Sequence, residues 1–597
     1  MTPRRLAVQA LLHQEQAGYA NLVLDAELKK CTPAPEPRDA AFAAGIFYTA
    51  VERMPLLDYL LGQFLKKPLA KLDAPVRAIL RAGLAQARFM QVPVSAAVNE
   101  SVKLTKAFGK TSAAGMVNAV LRRAAVQPVS ESDFADPLQR LQIYYCLSAP
   151  VASLLYSQYG DEAFAMAASF FEKPAAAVRV NTLKTTDAAL TARLQSEGCD
   201  AAPGPWEHCL LTKFSSSPAA TKAFAEGLYH VQGLASQFAA LCVQAQPGQK
   251  VLDLCAAPGG KSTQLAAKMD GQGILVCNEV VAPRAKILSQ NIERMGICNA
   301  LVLSQRPDQL ALRFARYFDR ILVDAPCSGE GMFRKEEAAV RDWSPEQVQI
   351  CARRQREILE SAAAMLRPGG RLVYSTCTFA PEENEGVIGA FLRDHPDFCL
   401  PEVSAPWFSP GRPDWTEDGD APLARCFRLF PHRLRGEGHF AAVLQYNGLE
   451  TAPEPDLEPG AAPPPELRAL LGQLGARLPE GKLLRFGDTW YLSPAALVQL
   501  HALRVLRAGL CLGTQKKGRF EPSHALALYL SGTPTQCDLP LEDARLAAYL
   551  SGAPLAGAQQ GWTLVLAQGM SIGWAKGSGG TLKNHYPKGL RRPLGGM

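Results

Sequence analysis

No two of the fifteen cysteines lie closer than ten residues, so the chain has no C-x-x-C pair and none of the spacing that a zinc site or a dithiol redox centre uses. An odd number of scattered thiols also fits no closed disulfide framework, and we expect neither a metal nor disulfides. Long apolar runs are scarce too. The longest, residues 40–51, is closed by Asp39 and Glu52 and is too short to cross a bilayer. The opening MTPRRLAVQALLHQEQAG is interrupted by Gln9, His13, Gln14 and Glu15, so it reads as an amphipathic helix rather than a secretory signal. We therefore expect no membrane span and a cytoplasmic location. G-x-x-x-x-G-K and G-x-G-x-x-G are both missing, which argues against a phosphate-cradling loop and a dinucleotide site, and no internal repeat is present.

With 597 residues the chain exceeds what one core can organise, and 48% hydrophobic against 20% charged residues describes a chain that folds. Its charge is unevenly spread. Residues 1–125 hold 17 Lys and Arg against 9 Asp and Glu, and residues 576–597 hold five Lys and Arg with no acid, around a mildly acidic middle. Basic ends suit modules that grip a polyanion, although solvated helix faces account for any single cluster equally well.

From Arg4 to Arg123 apolar positions recur at helical spacing, broken by Pro33–Pro37, Lys67-Pro68 and Gln91–Pro93, which predicts a helical bundle. From Lys250 onward short apolar runs alternate with amphipathic stretches: 250–256, 273–280, 300–304, 318–326 and 370–378. That alternation predicts a mainly parallel, Rossmann-like sheet. Residues 448–466 carry six prolines and no aromatic, so they read as a linker. Beyond it, strand-like runs at 483–486, 490–492 and 563–567 predict a small α+β or β-barrel module.

The segment Val251-Leu252-Asp253-Leu254-Cys255-Ala256-Ala257-Pro258-Gly259-Gly260-Lys261-Ser262-Thr263 predicts a buried strand, a glycine turn and a helix start at about Ser262. Such a turn puts backbone N–H groups at the carboxyl edge of the sheet, where ligands bind, and without a phosphate motif a nucleoside cofactor is the better reading. Glu279 ends the next run, where a carboxylate accepts from ribose hydroxyls; a lone acid there is more often a helix-start charge. Asp324 ends a further run in Asp324-Ala325-Pro326-Cys327-Ser328-Gly329-Glu330-Gly331, and Cys377 follows the last in Tyr374-Ser375-Thr376-Cys377. Most cysteines on buried strands are inert packing. Two beyond strand ends at one ligand edge point instead to chemistry.

Together D-L-C-A-A-P-G-G-K-S, D-A-P-C-S-G-E-G and Y-S-T-C-T-F-A-P-E-E-N-E resemble the RsmB/RsmF (Sun or Fmu) family of bacterial ribosomal RNA cytosine-5 methyltransferases, as do Val178–Lys184 and Val231–Gln237 upstream. The helical start, with Arg38–Phe42, Lys71–Asp73 and Val117–Arg122, is similar to the NusB-type RNA-binding domain of the RsmB branch. The tail, with Leu506–Gly509 and Gly573–Lys576, is similar to the RsmF extension. Carrying both ends departs from either pattern. The resemblance implies a helical domain at 1–127, an RNA-recognition subdomain at 140–245, a catalytic domain at 246–447, the linker at 448–466 and a PUA-like RNA-binding domain at 467–597. It implies S-adenosylmethionine held by Cys255, Ala256, Ala257, Pro258, Gly259, Gly260, Lys261, Glu279 and Asp324, with Arg284 at the cofactor edge.

Carbon 5 of cytosine is a weak nucleophile until a thiolate adds at carbon 6. By the resemblance Cys377 is that nucleophile, Cys327 assists removal of the C5 proton, Asp324 holds the N3 and N4 edge and carries or shares a proton, and Lys261 orients Asp324. The acid that the family places after the third strand falls here on Arg306, with Asp308 nearby as a weak substitute. The implied substrate is small-subunit rRNA, free or in an assembling 30S particle, met by a monomer. A nonenzymatic RNA assembly or antitermination-like factor needs neither Cys327 nor Cys377, a DNA cytosine methyltransferase uses the cysteine of a Pro-Cys motif, and a nicotinamide dehydrogenase needs the glycine fingerprint. Lys516–Arg519 and Lys583–Lys588 read as solvated loops or phosphate contacts, with Tyr586 available to stack on a base.

Overall fold

The computed structural model describes all residues except 18–19, 32, 34, 173–175, 215–216, 333–342, 404–407, 417–418, 435, 454, 476–477, 531, 541 and 592–597, so Arg592 of the basic tail lies outside the described residues. The chain forms two compact units, one of residues 1–172 with 332–344 and the other of residues 173–331 with 345–597.

The first unit is the expected helical bundle. Its helices include Pro3–Ala17, Pro37–Glu52, Met54–Gly62, Ala74–Phe89, Val94–Ala107 and Ala114–Val126. The centre is Ala74–Phe89, where Val76, Ile79, Leu80 and Leu84 recur at helical spacing and are all buried. Arg81 on this helix is buried as well, and its guanidinium is satisfied by Asp58 at 2.7 Å and Glu15 at 2.5 Å.

In the second unit a ten-stranded sheet carries the site. Its strands are β1 (Lys250–Asp253), β2 (Ile274–Asn278), β3 (Ala300–Leu303), β4 (Phe318–Asp324), β5 (Leu366–Thr376), β6 (Phe398–Cys399), β7 (Ser409–Pro410), β8 (Phe427–Leu429), β9 (His439–Tyr446) and β10 (Val505–Ala508). The spatial order is β7-β8-β9-β5-β4-β1-β2-β3-β10, with β6 on β9. Strands β1 to β5 are mutually parallel, and β9 enters antiparallel beside β5. Burial on both faces explains why these strands read as unbroken Val, Ile and Leu runs. Strand order reverses at β1, with β2 on one side and β4 on the other, so a crevice opens beyond their carboxyl ends.

A four-stranded antiparallel sheet precedes this one, in the order Asp200–Pro203, Cys209–Lys213, Ala176–Val180, Tyr229–Val231. It docks through a buried cation. The Arg179 guanidinium donates to Gln232 Oε1 at 3.0 Å and to Thr263 Oγ1 at 2.7 Å, at the start of the helix that follows β1. These partners are neutral, and burial pulls Arg179 down to about 9.

Residues 448–466 read from composition as a linker; described residues within that span bond the unit, where the Glu458 N–H donates to Leu497 O at 2.8 Å, the Gln499 N–H to Asp456 O at 2.9 Å, and Arg316 pairs with Glu450. The module beyond is not fully separate either. Its segment Val505–Ala508 is β10, which pairs antiparallel with the outer edge of β3. The rest forms an antiparallel sheet of Lys482–Phe486, Thr489–Ser493, Leu510–Lys516 and Arg519–Pro522, and a five-stranded sheet in which Trp562 meets Trp574 edge to face.

Candidate active site

The glycine turn follows β1, and its helix, Gly260–Met269, starts two residues earlier than the sequence suggests. Gly259 adopts φ +110°, and a Cβ there would stand 3.0 Å from Leu288, so both conformation and space call for glycine. Ala256 and Ala257 are buried, Cys255 and Gly260 partly buried, and Pro258 exposed. Burial keeps the Cys255 thiol protonated. The turn is tied to β2: Ala256 N–H donates to Asn278 O at 2.8 Å, and Asn278 Nδ2 donates to Leu254 O at 3.2 Å and Gln305 O at 3.0 Å.

Glu279, at the tip of β2, is buried; it accepts from Val281 N–H at 2.8 Å and pairs with Arg284 at 3.2 Å. A carboxylate accepts about four hydrogen bonds, so two positions remain for a diol. Arg284 also donates to Ala257 O at 3.0 Å, which makes it a tether between turn and carboxylate. The glycine turn, the half-satisfied acid and the buried wall between them fit a nucleoside cofactor. Asp308 does not join them: it pairs with Arg306 at 3.0 Å on an exposed helix start.

The second half of the site lies past the tips of β4 and β5. Lys261 Nζ donates to Asp324 Oδ2 at 2.8 Å, and Ser375 Oγ donates to Oδ1 at 2.8 Å. Burial raises the Asp324 carboxyl, but the Lys261 ammonium and the hydrogen bonds from Lys261 and Ser375 outweigh it and the net shift is downward. Asp324 is therefore an ionised acceptor at rest, and a proton that it passes on must first arrive from elsewhere. Cys327 Sγ stands 3.2 Å from Cys377 Sγ and accepts from the Cys377 N–H at 3.3 Å. Interaction with the Cys377 sulfur, with burial and Glu383 adding to it, pushes the Cys327 thiol well up.

Behind the cysteines the Ser328 N–H donates to Glu383 Oε2 at 3.2 Å, and Gln355 links Glu383 to Pro326 O at 2.6 and 2.9 Å. Burial raises Glu383 to about 7, and Glu330 adds to this. Glu385 and Arg428 form a further ion pair with side chains 0% and 2% exposed. Three groups escaped the sequence reading: His439, whose Nε2 lies 3.8 Å from Asp324 Oδ1, Ser375, and the Glu383 brace. Glu383 belongs to a quoted motif, so its signal was present; His439 had none. Tyr586, read as free to stack on a base, is instead half-buried and packs against Tyr549 and His524 at 5.5 and 5.6 Å.

A parallel sheet with a nucleoside crevice at its reversal point, facing an acid and two cysteines, defines an S-adenosylmethionine-dependent methyltransferase. Residues 240–445 match the family described as 16S rRNA methyltransferase RsmB/F. Residues 1–126 match the NusB family, 152–213 the RsmF/B-like ferredoxin-like domain, 470–530 the first C-terminal domain of RsmF, and 537–592 the RsmF PUA domain. The chain is similar to the ribosomal RNA small subunit methyltransferase F of Shewanella amazonensis, 33% identical over 436 residues, which are 70% of this chain and 91% of that one. The enzyme of the same name from Escherichia coli O127:H6 is 33% identical over 440 residues, 70% of this chain and 90% of its own. The solved structure of PH0851 superposes with TM-score 0.57 at 26% identity, covering 74% of this chain and 99% of that one. The chain belongs to the 16S rRNA methyltransferase RsmB/F family and is an S-adenosylmethionine-dependent rRNA methyltransferase.

Proposed function

We propose that this enzyme methylates carbon 5 of a cytosine in small-subunit rRNA through a transient bond between Cys377 Sγ and carbon 6. The observation that carries the reading is the 3.2 Å contact between Cys327 and Cys377 beyond the strand tip that carries Asp324. Bound S-adenosylmethionine supplies an electrophilic methyl group; Glu279, Arg284 and residues 255–261 are the groups to hold it, beside Asp324. Thiolate addition at carbon 6 pushes an electron pair toward carbon 5 while N3 takes a proton at the Asp324 edge, where Lys261 steadies the carboxylate. After methyl transfer carbon 5 must lose its hydrogen as a proton while the carbon–sulfur pair returns to Cys377. The proton that Cys327 holds at rest is the one that passes, through the Asp324 carboxylate, to N3 as the adduct forms; the thiolate left on Cys327 is a strong base and takes the C5 hydrogen, and N3 gives its proton back to Asp324 and solvent as the adduct collapses.

Around this centre we assign residues 1–127 and 467–597 to gripping the RNA, residues 140–245 to recognition, residues 246–447 to catalysis and residues 448–466 to the connection. The rRNA-bound enzyme acts as a monomer in the cytoplasm, on free RNA or the assembling 30S particle. Trapping tests the chemistry. RNA carrying 5-fluorocytosine cannot lose its C5 substituent, so wild type should give a denaturation-resistant adduct and Cys377→Ala none. Cys327→Ala should accumulate an adduct on ordinary RNA. Adduct in Cys377→Ala and none in Cys327→Ala overturns the assignment and favours the Pro-Cys chemistry of DNA enzymes. Bisulfite mapping of the product locates the base.

A further inference from the structure

The catalytic pocket contains one more polar side chain than this mechanism uses. His439 begins β9, and its side chain is 6% exposed. The last rung of the β5–β9 ladder is Thr376 opposite Phe440, and Ala441 stands opposite Ser375. One step further the strands part around Gly331, whose N–H donates to Cys377 O at 2.9 Å and whose carbonyl accepts from Gly438 N–H at 3.2 Å. Alternate residues on a strand share a face, and facing residues share it across the ladder. Ser375 and Cys377 therefore lie on one face with Ala441 and His439, and Ser375 directs its hydroxyl to Asp324.

The ring nitrogen that points at this face is unused. His439 Nε2 is buried, 3.8 Å from Asp324 Oδ1, which is too long for a hydrogen bond, and it has no other partner among the described residues. A neutral imidazole carries its hydrogen on one nitrogen, and the tautomer with it on Nδ1 leaves Nε2 as a lone pair. Burial, with Lys261 nearby, pulls His439 down to about 4, so the ring is neutral at physiological pH despite the opposing pull of Asp324 and Glu437.

Asp324 alone discriminates poorly between pyrimidines. An ionised carboxylate only accepts, and uracil offers N3–H where cytosine offers N4–H. We propose that His439 is the residue that selects cytosine: its Nε2 lone pair accepts the second N4 hydrogen of a base whose first is taken by Asp324, and it faces the O4 lone pairs of uracil with a lone pair of its own. A buried acceptor that meets an acceptor loses its hydrogen bond and is not resolvated. The inference rests on the cytosine-5 reading above and adds the group that reads the base.

The test uses the full-length enzyme and transcripts with tritium at carbon 5 of either cytidine or uridine at the mapped position, with tritium release as readout. Wild type should release label from cytidine and almost none from uridine. His439→Phe, which keeps the ring and loses both nitrogens, should lose about tenfold in kcat/KM on cytidine RNA and narrow the cytidine-to-uridine ratio by at least as much. His439→Gln, whose amide offers either an acceptor or a donor, should restore cytidine turnover and also turn over uridine. S-adenosylmethionine affinity equal to wild type certifies the fold of each variant, and His439→Gln decides alone where His439→Phe fails that check. Variants that keep the wild-type ratio overturn the proposal. A wild type that releases no tritium from cytidine overturns the cytosine-5 reading, and this inference with it.

Discussion

Lys261 Nζ stands 2.8 Å from Asp324 Oδ2, with side chains 10% and 29% exposed, and this contact decides the charge of the acid that meets the base. Burial favours the neutral carboxyl and the ammonium opposes it most strongly. Lys261→Met should therefore raise the Asp324 pKa, so that at a given acidic pH more of the enzyme is protonated than in wild type. The acidic limb of a kcat pH profile should move to higher pH, with kcat at neutral pH down roughly a hundredfold. An unmoved limb would show that another group governs Asp324.

Glu279 should dominate cofactor affinity. Replacing it by Ala removes a charged acceptor from a buried strand tip and frees Arg284 from its 3.2 Å partner. Hydrogen bonds to charged groups contribute about 1.5–3 kcal/mol, so calorimetry should show S-adenosylmethionine binding one to one and weakened roughly ten- to a hundredfold. Unchanged affinity would separate Glu279 from the cofactor.

The Arg428–Glu385 pair predicts an asymmetry in stability. Glu385 also accepts from Arg412 N–H at 2.9 Å, yet the guanidinium of Arg428 is its ion-pair partner among the described residues. Arg428→Met should destabilise the protein by about 3–5 kcal/mol in urea unfolding, and the double replacement Arg428→Met with Glu385→Leu should recover most of the loss. A double variant no better than the single one would mean that the pair's geometry, rather than an orphaned charge, sets the penalty.

The basic helical unit should make RNA binding salt-sensitive, because each neutralised phosphate releases counterions. Deleting residues 1–127 removes 17 Lys and Arg, counted over residues 1–125, and should flatten the dependence of log affinity on log salt. The same slope and affinity after deletion would assign this unit to another task.

Strand tips were the most legible part of the molecule. Asp253, Glu279 and Asp324 end hydrophobic runs, and a buried parallel sheet writes such runs plainly, so the crevice followed from local pattern alone. His439 was hidden because its partner strand, β5, lies more than sixty residues upstream, and a histidine among Gly438, Phe440 and Ala441 carries no periodicity of its own. Ser375 and Lys261 differ in the same way: Lys261 sat inside a motif, whereas the hydroxyl of Ser375 gains meaning only from the register that sets it beside Asp324. Composition could not show how residues 448–466 are held, because proline content reports what backbone N–H groups are missing and says nothing of the carbonyls and side chains that fasten Asp456 and Glu458 to the fold.

Strand β10 gives the tail a duty apart from RNA. Without Val505–Ala508, Leu301, Val302 and Leu303 would present an open row of amides and carbonyls on a wholly apolar strand, a template on which a second molecule would grow. Catalytic cores cut before residue 505 should therefore self-associate through β3, and the boundary at which the methyltransferase becomes self-sufficient lies past its own last helix, inside what the chain otherwise presents as an appendage.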